Sequence, residues 1–140
     1  MLTKYPTKEQ ILAKKPKINQ ITMITTLLWK RKYFKGWNTL PNEEKNKRLK
    51  QLIYWLNWVN HKPHDFLIIK TSNEYKYNPE TQRIYLEKNN PSIISSLHEL
   101  GHHLFGSSEL IACRWSIGVF SNCFPITFSK LKWDKHLLKK

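Results

Sequence analysis

The chain has 140 residues, with 24 Lys or Arg against 10 Asp or Glu, a formal charge of +14. That length suits one domain of ordinary size with its own core, and 40% hydrophobic with 13% aromatic residues excludes disorder throughout. No apolar run reaches the roughly 18 residues that cross a bilayer, the N-terminus lacks a secretory pattern, and Cys113 with Cys123 make no disulfide framework; a soluble cytoplasmic protein with no membrane partner is expected.

Thr7-Lys8-Glu9-Gln10 reads as the N-cap and first turn of a short helix that stops at Pro16. A second helix is expected over about 18–34, ending near Gly36, with β-branched residues and a basic end. Pro41-Asn42-Glu43-Glu44 opens a third, in which Leu49, Leu52, Ile53, Leu56 and Val59 recur at three and four residues; Trp55 and Trp58 widen that stripe and Pro63 ends it. The period then changes. Phe66-Leu67-Ile68-Ile69 reads as a buried strand, and Tyr75-Lys76-Tyr77 with Arg83-Ile84-Tyr85-Leu86-Glu87 as a β-hairpin around Asn78-Pro79-Glu80-Thr81. Asn89-Asn90-Pro91-Ser92 breaks the strand, a helix from Ile93 should end at Gly106, and Ser107 or Ser108 can cap a last helix over about 109–120. The expected fold is α+β in a single domain: a helical extension (1–40), a core with a small antiparallel sheet (41–121), and a basic, mildly amphipathic C-terminal segment (122–140).

The charge is uneven, with eighteen of the 24 basic residues before position 90, and 20 of the 24 are Lys. Arg is the residue suited to bidentate readout of bases and phosphates, so any contact with nucleic acid should be nonspecific and salt-sensitive. Abundant Lys, Asn and Ile is a pattern associated with AT-rich genomes such as those of many phages and mobile elements. The Trp and Tyr residues read as core before a base-stacking platform.

The chemistry gathers at His98-Glu99-Leu100-Gly101-His102. Two histidines four apart on a helix project from one face and reach one metal ion, while Ile93, Leu97, Leu100 and Leu104 form the opposite, buried stripe. Between Lys88 and Lys132 the only carboxylates are Glu99 and Glu109. Glu109 opens the next helix, Gly106 lets the chain fold back, and Ala112, Cys113 and Ser116 share a face small enough for close helix packing. A His, His, Glu set is known for catalytic zinc, with Asp134 and His136 as alternative third ligands.

His-Glu-x-x-His is the zincin metallopeptidase motif, and the segment from His98 to Gly106 followed by Glu109-Leu110-Ile111-Ala112 resembles the ImmA/IrrE-like group and related small phage-type metallopeptidases. The resemblance covers about residues 66–121. It implies a minimal zincin-like domain and a gluzincin-like enzyme that hydrolyses peptide bonds, with Zn²⁺ on His98, His102 and Glu109 and Glu99 as general base. It also implies that the strand 83–87 is an edge able to pair with an extended peptide. The interval from His102 to Glu109 is shorter than is usual in that group. The metzincin third His is absent, since position 108 is Ser.

His103 is a candidate transition-state donor or rim histidine, and Arg114, Tyr85 and His136 are candidates to stabilise an oxyanion. His61 and His64 read as loop residues, and Cys113 as a small packed residue. The competing reading is a basic binding or virion-associated protein with a structural or vestigial zinc site. A peptide or protein substrate is the expected partner, with nonspecific nucleic-acid contact through the basic surface.

Overall fold

Four helices begin where a side-chain oxygen accepts from their otherwise free N–H groups. In the computed structural model, which describes residues 6–60, 66–134 and 137–139, Thr7 and Gln10 form a reciprocal capping box on α1 (Lys8–Leu12). Asn19 caps α2 (Gln20–Tyr33). After α3 (Asn42–Asn60), Ser92 caps α4 (Ile93–Phe105) and Ser108 caps α5 (Glu109–Cys123). A short α6 (Pro125–Ser129) follows, then an antiparallel pair, β4 (Lys132–Asp134) with β5 (Leu137–Lys139), in the segment expected only to be amphipathic. Among the described residues no helix is long and apolar enough to cross a membrane.

The main sheet has three strands, β1 (Ile68–Ser72), β2 (Lys76–Asn78) and β3 (Arg83–Glu87), in the order β1-β3-β2. β2 and β3 are the expected hairpin, and its turn is held by the Asn78 side chain, whose Oδ1 accepts from the backbone of Glu80 at 3.0 Å and of Thr81 at 3.4 Å. The sheet is not antiparallel throughout, because β1 runs parallel to β3, pairing Ile69 with Ile84 and Ser72 with Glu87. Residues 73–75 carry the chain across the end of β3, a gap of two strand spacings or about 10 Å. β3 is therefore central, with β1 and β2 at the edges; on the β1 side the Ile69 N–H donates to Tyr54 Oη of α3 at 3.0 Å. The alternation of the strands follows from this: Leu67 and Ile69 are buried, whereas Phe66 is 79% exposed, so that run is not buried continuously.

One core cluster joins Trp29 of α2, Leu49, Leu52, Ile53 and Leu56 of α3, Ile69, Ile84 and Leu86 of the sheet, Leu97 and Leu100 of α4, and Val119 and Phe120 of α5. Trp29 is wholly enclosed and its indole N–H donates to the Arg48 carbonyl at 3.0 Å. α2 also keeps Ile21, Ile24, Leu27 and Leu28 on its outer face, so it is apolar on two sides and has no single sequence stripe. Trp58, expected on the buried stripe of α3, is 69% exposed; it lies half a turn from Leu49 on the helical wheel.

The closest helix approach is between α4 and α5. A Cβ added at Gly101 would lie 3.2 Å from the Ala112 Cα and 3.3 Å from its Cβ. Replacing Gly101 by Val should therefore force this seam apart and cost about 1–3 kcal/mol, the usual scale of overpacking, read as a lower midpoint in urea unfolding.

Candidate metal centre

The α4 stripe of Ile93, Leu97 and Leu100 enters the core and turns His98 and His102 toward α5. Gly106 ends α4 with φ 102° and ψ −162°, a conformation open to glycine and strained for residues with a Cβ. That turn allows α5 to start back along α4. Its first residue, Glu109, then faces both histidines: Oε2 is 3.0 Å from His98 Nε2, and Oε1 is 2.8 Å from His102 Nε2. The two Nε2 atoms lie 3.2 Å apart. These three side chains form the group of metal-ligating type among the described residues, with one donor atom from each.

The spacing suits a metal ion. Three ligands about 2.0–2.2 Å from one tetrahedral ion would stand about 3.3–3.6 Å from each other, a few tenths of an ångström wider than the contacts here. Glu109 Oε2 is buried and lacks a well-directed hydrogen bond despite its closeness to His98, so a buried lone pair points into the triangle. A cation between the three atoms satisfies that oxygen directly.

The far nitrogens of both rings are also engaged. His102 Nδ1 lies 2.9 Å from the Gly106 carbonyl, which makes it the donor there. His98 Nδ1 lies 3.6 Å from the buried Cys113 Sγ, a weaker acceptor. Such partners fix the ring orientation and leave Nε2 for a metal. Cys113 is thus more than a packed residue: it stands behind His98. It is not one of the grouped ligand atoms, and burial with the neighbouring Glu109 and Glu99 charges pushes its thiol up to about 12.

The two carboxyls of the site differ in environment. Burial acts to raise Glu109, but the neighbouring His102 and His98 outweigh it and hold the carboxyl well below the usual range. Glu109 in turn raises His102, against the effect of burial. Glu99 is 9% exposed and sits outside the ligand triangle. Burial raises its pKa, opposed by the nearby His98 and His102, and a carboxylate so destabilised is a stronger base.

All four side chains line an open cleft of about 2000 Å³. Small-molecule pockets are typically about 300–1000 Å³, so this one has room for an extended chain. Its walls come from the α2–α3 connection, the 89–92 turn, β2, α4 and α5. On the rim, Tyr77 Oη and His103 Nδ1 lie 2.7 Å apart, which assigns His103 to the rim and joins it to a tyrosine that the sequence did not single out. Tyr75 fastens β2 to the start of α4: its Oη donates to the Asn90 carbonyl at 2.7 Å and accepts from the Ser92 N–H at 2.7 Å.

The other candidates fall elsewhere. Arg114 Nη2 donates to the Gln10 carbonyl at 2.7 Å, which ties α5 to α1 outside the cleft. Tyr85 does not line the cleft. His61, His64 and His136 lie outside the described residues, as does the side chain of Asp134.

No family model, curated protein or solved structure matches the chain. The site therefore stands on its own geometry. Glu109→Ala should lower zinc affinity by more than about 100-fold, the upper end for losing a residue that only hydrogen-bonds a ligand, while Cys113→Ala should cost about 10–100-fold through His98. Asp134→Ala and His136→Ala should leave it unchanged. Competition against a chromophoric chelator measures all four.

Proposed function

We propose that this chain is a zinc-dependent peptidase of zincin type, with zinc on His98, His102 and Glu109 and Glu99 as general base. The observation that carries the reading is the donor triangle assembled from two helices beside a buried, separate carboxylate in an open cleft. Two imidazoles and a carboxylate suit zinc, and three protein ligands with an open position are the arrangement of catalytic sites. A structural zinc would be closed by a fourth ligand, and the described residues offer none. The separate, buried carboxylate of Glu99, which a structural zinc does not need, favours the enzyme over the binding-protein reading.

Zinc so held supplies Lewis acidity toward a peptide carbonyl and lowers the pKa of a water to about 7. Glu99 would act as the general base that accepts a proton from the attacking water, and burial, which raises its proton affinity, would suit it to return that proton to the leaving amine. Glu109, held ionised, would be the third ligand. Tyr77 of β2 and His103 of α4 are joined polar groups that line the cleft, and they suit the role of hydrogen-bonding a substrate. The strand that an extended peptide would join is β2, at the edge, and not the central β3.

Glu99→Gln removes the base while keeping size and helix compatibility. Zinc content and unfolding midpoint should match the wild type, and cleavage of an extended peptide should fall by about 10²-fold or more. Equal activity of both proteins on every cleaved peptide would reject the assignment.

A further inference from the structure

We propose that the cleft selects acidic peptide segments; this rests on the peptidase reading above and adds the class of substrate. Four lysines line the cleft, each from a different part of the fold: Lys35 after α2, Lys45 on α3, Lys76 on β2 and Lys130 after α6. They come from four parts of the fold instead of lying along one helix. Among the described lining residues the carboxylates are Glu87, Glu99 and Glu109. Glu109 is the proposed third zinc ligand, which leaves Glu87 and Glu99 against four ammonium groups.

A concave site walled by protein focuses the field of like charges and raises the local concentration of an oppositely charged ligand by about 10- to 1000-fold. Lys45 is held in part by the Trp37 ring, 5.8 Å below its ammonium. Trp37 also stacks on Phe34 at 5.7 Å, so its faces are taken up and it is no platform for a base. No arginine lines the cleft, so charge is read without the forked geometry that suits phosphate. Asp and Glu side chains on an extended chain lying against β2 meet these requirements.

The test uses zinc-loaded Glu99→Gln as a trap, with fluorescent peptides of equal length that are acidic, neutral or basic. Anisotropy should show the acidic peptide binding at least about tenfold tighter than the neutral one, the lower end of such focusing, with a steeper loss in salt. Reversal of Lys35, Lys45, Lys76 and Lys130 to Glu should abolish the preference. Because Lys45 is half-buried, a triple reversal that spares it is the second variant, with zinc content as the check on folding. Reversal of Lys14, Lys15, Lys17 and Lys47, which lie outside the cleft, changes the net charge equally and should leave the preference in place. Equal binding of acidic and neutral peptides, equal effects of the two four-site reversals, or full competition by DNA at matched charge would each overturn the proposal. If wild type cleaves neutral and acidic peptides alike, selection fails and hydrolysis stands; if the acidic peptide binds the trap and is never cleaved, selection stands and hydrolysis fails.

Discussion

The contact of Gly101 with Ala112 is the constraint on which the rest of the site depends. On α4, Gly101 lies one turn after His98; on α5, Ala112 and Cys113 lie one turn after Glu109. Close approach at this point therefore sets the carboxylate of one helix against the imidazoles of the other. A side chain at Gly101 would meet α5 backbone and not the end of a flexible residue, so the seam has little room to adjust. The hydrophobic stripe of α4 supplies the force that keeps it closed, since burial of Leu97 and Leu100 holds the helix in the core.

Within that frame, two carboxyls a few residues apart in space take different states because their partners differ. Glu109 is compensated by two imidazoles and remains charged. Glu99 is more deeply buried, has no comparable hydrogen bonds, and holds its proton more readily. The separation of ligand from base is a property of position: Glu99 lies next to His98 on α4, and its carboxylate lies outside the donor triangle.

The sheet topology decides where a substrate can lie. Because β1 pairs with the far side of β3, the edge strand that lines the cleft is β2, and Tyr75 holds that edge to the loop before α4. The basic rim follows from the same arrangement. Lys76 lines the cleft from the edge strand, Lys35 from the α2–α3 connection and Lys45 from the start of α3.

Much of this was legible in the residues alone. The capping box at Thr7, the caps at Ser92 and Ser108, the stop at Gly106 and the Asn78 turn are local hydrogen-bond chemistry, and local chemistry is written in adjacent letters. The two histidines and Glu109 were legible for the same reason, through helical spacing and a scarcity of other carboxylates. Cys113 behind His98 had a faint signal, four residues after Glu109 on its face. Tyr77 had none, nor did the parallel pairing of β1 or the exposure of Trp58. Strand alternation states which residues share a face but not which neighbour a strand chooses, and an apolar residue on a helix does not name the partner that covers it. Those choices follow from packing between segments distant in sequence, as where α2, α3 and Phe124 meet around Trp29.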